Sequence, residues 1–163
     1  MFRNILYAII LIVSFGTVAL GCNDNTEFVT TKIYFVDAGM MKLIPHEISV
    51  LKSNPEYRAQ SVLRALIKGK DDNTKIRRLI PDMSNCMSVK VNEKTAYVNI
   101  KEKMIRSHPE GRELELLTVY QIVNSLTQIE GIENVCFTIN GRIQKKFMGY
   151  LDMREIFTAD YTV

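Results

Sequence analysis

Hydrophobic and polar residues alternate in several short segments of the chain, which is the pattern of half-buried β-strands. Residues 31–37 are rich in β-branched and aromatic residues and stop at Ala38-Gly39, so they predict a first strand. Residues 43–51 predict a second strand. Pro45 restricts that strand to the edge of a sheet or to a kinked entry, because proline cannot donate a ladder hydrogen bond.

The same alternation predicts hairpins in the second half of the chain. Residues 86–91 and 95–101 alternate on either side of a short polar tip, which indicates two antiparallel strands. Residues 135–139 predict another strand that leads into Asn140-Gly141, the strongest short hairpin signal in the sequence. Residues 142–148 are therefore expected to return antiparallel.

Two longer segments repeat hydrophobic residues at helical spacing instead. Asn54 is a suitable N-cap, Pro55 fits the first helical position, and Gly69 is a plausible terminator. The apolar stripe of this first helix is Ala59, Val62, Leu63, Leu66 and Ile67. A second helix is predicted from about residue 110 to residue 129, with Gly131 just beyond its end.

The predicted order β-β-α-β-β-α-β-β indicates an α+β fold, in which two helices pack on one face of a mixed or antiparallel sheet. Such a sheet is apolar toward its helices and polar on the other side. The polar set is Ser88, Lys90, Tyr97, Asn99, Lys101, Thr138 and Asn140. This face, or an edge strand, could dock a partner, with Lys90, Tyr97, Asn99 and Thr138 as the candidate docking residues. The alternative is a face that is merely solvated.

The first 21 residues have the features of a secretory signal peptide rather than of a folded domain. Arg3 precedes an uninterrupted apolar run at residues 5–13, and smaller residues follow up to Gly21. The apolar run is shorter than the roughly 20 residues that span a bilayer comfortably. Export to the extracytoplasmic side follows from this interpretation.

Residues 19–22, Ala-Leu-Gly-Cys, resemble the lipobox of bacterial lipoproteins. The resemblance implies cleavage before Cys22 and lipidation of that cysteine, so that membrane lipid holds the chain through an acyl anchor at the cell membrane. Residues 22–30 would then form a short tether, and residues 31–163 a single domain. The alternative is an uncleaved N-terminal membrane helix in which Cys22 has no role.

Composition and charge exclude some classes of function but do not identify a binding partner. The 163 residues are 47% hydrophobic and 24% charged, as in an ordinary globular domain. The net charge is +3, which falls to +2 once Arg3 is removed with the signal peptide. Such a small charge argues against a nucleic-acid partner. The basic pairs Arg77-Arg78 and Lys145-Lys146 could touch anionic lipid or wall polymer, or could simply be solvated.

Motifs for catalysis, metal or cofactor binding are absent from the sequence. The two histidines, His46 and His108, lie in separate segments, and no zinc spacing, nucleophile elbow, P-loop or dinucleotide motif occurs. We therefore predict no catalytic residues, no metal and no cofactor. Once Cys22 is assigned to lipid, Cys86 and Cys136 remain, both on the same alternation face as Ser88 and Thr138. A disulfide between them is permitted outside the cell, but two free, partly buried thiols are favoured.

Ordered short pieces between residue 31 and about residue 152 resemble the GerMN domain of sporulation and germination proteins. The pieces are residues 32–35 (KIYF), 43–45 (LIP), 62–69 (VLRALIKG), 79–81 (LIP), the hairpin from Val89 to Ile100, 121–127 (QIVNSLT) and 131–135 (GIENV). The resemblance implies a lipoprotein on the extracytoplasmic side, often of spore-forming bacteria. It also implies a fold like that of ring-building motifs, and no catalytic residues to carry over.

Two functions are compatible with the sequence. The first is a non-enzymatic, lipid-anchored assembly or binding module, with protein partners in a sporulation or cell-envelope complex. The alternative is an envelope enzyme, or a sensor of a small ligand or wall polymer, without a recognised motif. An enzyme should show a deep pocket with convergent titratable groups, whereas a docking module should not.

Overall fold

The computed structural model describes residues 26–69, 75–147 and 149–163. The predicted signal peptide, Cys22, the tether as far as residue 25, and Met148 lie outside these residues. The elements are β1 (Phe28–Asp37), β2 (Leu43–Leu51), α1 (Pro55–Lys68), β3 (Ile76–Arg77), β4 (Met87–Asn92), β5 (Thr95–Ile100), α2 (Glu102–Arg106), α3 (Arg112–Leu126) and β6 (Asn134–Ile139).

The predicted α+β class is confirmed, and the structure divides the strands between two three-stranded sheets. One sheet has the order β2-β1-β3 and is antiparallel. The other has the order β4-β5-β6, with β4 and β5 antiparallel and β5 and β6 parallel. We call the second the mixed sheet.

Helices occupy the strand edges through which the two sheets could have joined. On β1, β3 pairs only with Val36 and Asp37, and the N–H of Tyr34 donates to Ser125 Oγ of α3 at 2.8 Å. On β4, the N–H of Val91 donates to the Glu56 carboxylate of α1 at 3.0 Å. Because side chains of helices satisfy these strand N–H groups, no further strand is needed there.

The first sheet confirms the prediction made from Pro45. β2 is an edge strand, and Pro45 lies opposite Tyr34 in the β1–β2 register. The N–H of Tyr34 points away from β2 toward α3, so this is a non-hydrogen-bonded pair and the ring nitrogen of Pro45 faces the outer edge. No ladder hydrogen bond is lost at that position, which is why proline is tolerated there.

Helix α1 begins and ends as predicted. The Asn54 side chain accepts a hydrogen bond from the N–H of Tyr57 at 2.8 Å, and Pro55 occupies the first turn. Gly69 follows the helix with a φ of 68°, in the left-handed region that favours glycine. The predicted apolar stripe is buried in full: Ala59, Val62, Leu63, Leu66 and Ile67.

The β4–β5 hairpin is also confirmed, and it shows the expected alternation. The apolar side chains of Met87 and Val89 on β4 and of Ala96, Val98 and Ile100 on β5 are buried against the helices. Ser88, Lys90 and Tyr97, between them in sequence, are exposed on the opposite face. One face of the mixed sheet is therefore closed by the core, and the other is open.

The predicted strand at residues 142–148 is wrong for residues 142–147, and Met148 lies outside the described residues. Asn140 and Gly141 have φ values of 49° and 76°, as a type I′ turn requires, and Ile139 pairs with Arg142. Past Arg142 the described chain leaves β6, and the pairing position beside Val135 is taken by Phe157. The turn therefore forms from local sequence, while a later segment covers the strand edge.

Two short elements, β3 and α2, were not predicted. The predicted second helix corresponds to α3, which begins at Arg112 and ends at Leu126. It is buried on most of its surface, polar residues included, because it contacts both β1 and β6. Phe137 of β6 and Phe157 meet edge to face at 5.4 Å between ring centroids, within the main core.

Candidate docking surface

The open face of the mixed sheet presents three rows of side chains, one residue from each strand per row. The strand register sets the rows as Asn92–Thr95–Asn134, Lys90–Tyr97–Cys136 and Ser88–Asn99–Thr138. The four predicted docking residues, Lys90, Tyr97, Asn99 and Thr138, therefore lie together in two adjacent rows. We call these three rows the open face.

Tyr97 lies at the centre of the open face. Its side chain comes from the middle strand and the middle row, and the residue is 43% exposed. Its neighbour in sequence, Val98, is fully buried on the other side of the sheet. A half-exposed tyrosine among polar side chains has an apolar ring and a polar tip, which is the type of residue enriched at protein interfaces.

Asn99 and Thr138 are joined to each other and to the turn that follows β6. The Asn99 Oδ1 atom accepts hydrogen bonds from the Thr138 hydroxyl at 3.1 Å and from the N–H of Gly141 at 2.7 Å. These bonds fix the Asn140-Gly141 turn against β5. Asn99 thus has a structural role that the alternation pattern did not indicate, and its replacement would disturb the turn as well as the face.

Lys90 leans toward the edge of the sheet. Its Nζ atom lies 3.1 Å from Glu56 Oε1, and its side chain remains 83% exposed. The N–H of Val91 and then the Lys90 ammonium lower the pKa of the Glu56 carboxyl by hydrogen bonding. The N–H of Val89 donates to Gln60 Oε1 at 3.4 Å. Helix α1 therefore covers the β4 edge of the mixed sheet. The open face stays accessible to solvent.

The thiols of Cys86 and Cys136 are free, as predicted. Burial raises the pKa of both thiols, which favours the protonated form over the nucleophilic thiolate. The face expected for Cys86 needs correction, because this residue is fully buried. Cys86 precedes β4, and its N–H bonds to the carbonyl of Met83 in a turn, so the strand alternation does not extend to it. Cys136 lies half-buried on the open face beside Tyr97.

Residues 121–127, a piece of the family resemblance, hold α3 in place through side-chain hydrogen bonds to the backbone of other segments. Ser125 accepts the N–H of Tyr34 and donates to the carbonyl of Gln121 at 2.6 Å. The Asn124 amide donates to the carbonyl of Asp160 at 2.6 Å and accepts the N–H of Asp160 at 2.9 Å. These side chains bind backbone as a strand would, so they fix α3 between β1 and the C-terminal segment.

A buried polar cluster near the start of α3 consists of His108, Glu115 and Thr118. The Glu115 carboxylate accepts the N–H groups of Tyr150 at 3.1 Å and of Leu151 at 2.9 Å. His108 Nδ1 lies 2.7 Å from the carbonyl of Pro109, to which it donates, so Nε2 accepts the Thr118 hydroxyl at 2.6 Å. Desolvation lowers the pKa of His108. Both ring nitrogens are engaged and buried, which makes this cluster a structural anchor rather than an acid–base site.

A cleft between α2 and the segment after β6 is open to solvent and has a volume of about 550 Å³. Its titratable residues are Glu102, Arg142 and Lys146. Glu102 is the one carboxylate that lines this cleft, and it pairs with Arg106 at 2.7 Å. Within residues 26–69, 75–147 and 149–163, no three His, Cys, Asp or Glu side chains are grouped to hold a metal ion. The described helices also include none that is long and apolar enough to cross a membrane.

The family model named Germane, for sporulation and spore germination, matches residues 32–145. The chain belongs to this family. The match includes α1, α2, α3, the mixed sheet with its open face, and the first sheet apart from the first four residues of β1. The resemblance to the GerMN domain is therefore confirmed. No curated protein matches the chain.

Solved structures share the fold of this Germane domain. The tandem GerMN domains of the sporulation protein GerM from Bacillus subtilis align with a TM-score of 0.65 and 20% identity, over 81% of this chain and 46% of theirs. The first GerMN domain alone aligns with a TM-score of 0.61 and 20% identity, over 78% of this chain and 99% of its own. A protein of Clostridium perfringens, provisionally named a lipoprotein, aligns with a TM-score of 0.58 and 19% identity, over 80% of this chain and 87% of its own.

Proposed function

We propose that this Germane domain is a non-enzymatic, lipid-anchored binding module, which docks a protein partner of a sporulation or envelope complex on its open face. The family description supports the link with sporulation. The lipobox-like residues 19–22 and the similarity to a provisionally named lipoprotein support the anchor. The cell membrane, on its extracytoplasmic side, is the proposed location.

The observation that carries this proposal is the asymmetry of the mixed sheet. One face is closed by the helices and the C-terminal segment, and the β4 edge is closed by Glu56 and Gln60. The other face exposes Tyr97 with a lysine, a serine and an asparagine in the adjacent positions. A surface of hydroxyl, amide and aromatic groups on paired strands is suited to binding a protein partner.

The proposed anchor would keep the domain close to the bilayer. Residues 23–27 separate Cys22 from the start of β1 at Phe28, and even a fully extended segment of this length reaches only about 18 Å. Several acyl chains on one cysteine would bind the membrane stably, at about 0.8 kcal/mol per buried methylene. Partners are therefore expected at the membrane surface.

The anchor is tested by Cys22→Ala in cells fed a labelled fatty acid. We expect an unprocessed precursor that takes up no label, because the thiol is the acceptor of the lipid. Replacing Cys136 by alanine is the matched control, and it should leave processing and labelling unchanged. A Cys22→Ala chain that is processed and labelled like the parent would exclude the lipoprotein.

Docking on the open face is tested by Tyr97→Asp, with Tyr57→Asp as the control. Tyr57 is 48% exposed at the start of α1, so both substitutions place a charge at a similarly accessible tyrosine. A charge that is buried without a counter-ion at the centre of an interface weakens binding by about 3–5 kcal/mol. We expect Tyr97→Asp to abolish covalent capture of the partner by a photocrosslinker at position 88, and Tyr57→Asp to leave it unchanged.

Circular dichroism and thermal unfolding would show that both variants fold like the parent. A folded Tyr97→Asp chain that still gives the same crosslinked product would exclude the open face as the docking surface. Equal loss in both variants would indicate that the charge, and not its position, weakens the complex.

A further inference from the structure

The two ends of the domain differ in how their cations are paired. At the end near the start of β1, which we call the tether end, ion pairs join Lys52 to Glu27 at 2.9 Å, Lys90 to Glu56 at 3.1 Å and Lys94 to Glu133 at 2.6 Å. At the other end, which we call the basic end, lie α2 and the residues just after β6. The cations there are Lys101, Lys103, Arg106, Arg142 and Lys146.

Contacts of α1 establish which end is which. The helix starts next to the end of β2, and β2 ends opposite Phe28, the first residue of β1. Glu56 in its first turn contacts Lys90 and Val91 near the β4–β5 turn. That turn therefore belongs to the tether end. Lys101 and Asn140 follow the opposite ends of β5 and β6, six residues or about 20 Å farther along the sheet.

Acidic partners are scarce at the basic end. Glu102 pairs with Arg106 at 2.7 Å. The side chains of Lys101, Lys103, Arg142 and Lys146 form no ion pair within the described part of the chain. This end therefore carries an excess of positive charge, although the net charge of the whole chain is only +3.

The cations of the basic end line two adjoining clefts. The cleft of about 550 Å³ is lined by Arg142 and Lys146, and a second cleft of about 330 Å³ is lined by Lys101, Lys103 and Arg106. Glu102 and Asn140 line both, so the clefts form one continuous groove. Five cations and one carboxylate line these two clefts, and Glu110 lines a third cleft that shares Arg106 and Lys146 with them. The excess of cations would match the repeated negative charges of an extended polyanion. Amides of Asn140 and Gln144 could donate to its oxygens.

We propose that this basic groove binds a phosphate-bearing polymer of the cell envelope. The preference for a wall polymer over membrane lipid rests on the tether proposed above. A bilayer beneath the tether end would lie at least one strand length, about 20 Å, from the groove, whereas charges are screened over about 8 Å at physiological ionic strength. The open face remains available for a protein while the groove is occupied.

The test measures binding of fluorescent poly(glycerol phosphate) to the full chain purified in a non-ionic detergent. We expect binding that weakens with added salt, and a roughly tenfold weaker affinity for Arg142→Gln/Lys146→Gln, since two exposed charge contacts are lost. The control is Lys32→Gln/Arg64→Gln, which removes two exposed charges outside the groove and should bind like the parent. Thermal unfolding should be the same for both variants.

Three results would overturn the proposal. The first is no binding of poly(glycerol phosphate) at low salt, and the second is an equal loss of affinity in both double variants. The third is binding to vesicles of phosphatidylcholine and phosphatidylglycerol that is as strong as binding to the polymer and is lost in the same groove variant. Because the assay uses purified chain, a failure here leaves the tests of the anchor and the open face unaffected.

Discussion

The two faces of the mixed sheet are built from the same three strands but have different roles. Val98 and Tyr97 are neighbours on β5, and they are 0% and 43% exposed. The closed face contributes to a core shared with α1, α3 and β1. Side chains of the open face bond to each other, to the turn after β6 and to Glu56 of α1. The difference indicates that stability depends on one face and recognition on the other, so substitutions on the two faces should have separable effects.

The closed face also depends on buried polar groups at its margin. Glu115 binds the backbone at Tyr150 and Leu151, and His108 packs beside Phe147 at 6.5 Å between ring centroids. Phe147 and Phe157 belong to the main core, so this anchor keeps the C-terminal segment over the sheet. No comparable buried charge lies on the described part of the open face.

The largest effect is expected for Leu66→Ala on the closed side. Leu66 is 1% exposed on α1, and removing its side chain should cost about 2–5 kcal/mol of unfolding free energy through lost burial and the remaining cavity. The measurement is denaturant unfolding, with Arg64→Ala as an exposed control on the same helix. A loss below that of the control would mean that α1 does not form this core.

Glu115→Gln should have the next largest effect. Glutamine keeps the size but has one acceptor oxygen, so one of the two backbone N–H groups loses its partner, at about 1–3 kcal/mol. Glu113→Gln, an exposed position in the same turn of α3, is the control. Limited proteolysis should cut the segment around Tyr150 faster in the Glu115 variant. Equal rates in both variants would contradict the anchoring role.

Acid should destabilise the domain through His108. Desolvation lowers the pKa of this residue in the folded state below its ordinary value of 6.5, so the unfolded chain binds the proton more readily. Unfolding free energy should therefore decrease as pH falls below 6.5, and His108→Gln should flatten that part of the profile. A profile that is the same in parent and variant would show that His108 does not contribute.

The smallest effect is expected for Lys90→Ala on the open face. The ion pair of Lys90 with Glu56 is exposed to solvent, and such pairs contribute about 0–1 kcal/mol. Val89→Ala, one residue away on the closed face, is the matched comparison and should cost more. If thermal unfolding shows equal losses at positions 89 and 90, the assignment of the two faces is wrong.

Local sequence was sufficient to predict the elements that form through contacts between neighbouring residues. The Asn54 cap, the stripe of α1, the alternation in β4 and β5, and the Asn140-Gly141 turn each depend on a few neighbouring residues, and the structure confirms them. The alternation also placed Lys90, Tyr97, Asn99 and Thr138 on one face. It did not indicate that Asn99 holds the turn, because that contact joins residues 42 positions apart.

Only the tertiary structure decided the pairings that depend on distant segments. Residues 142–148 were expected to extend the hairpin, but Phe157 pairs with Val135 and Glu115 binds the intervening backbone. The division into two sheets follows from helices that occupy the edges of β1 and β4. The polar residues of α3 are buried because backbone from β1 and the C-terminal segment needs partners there. Periodicity in the sequence predicts which face of an element is buried. Which group covers the edge of a strand depends on the distant segment that the fold places beside it.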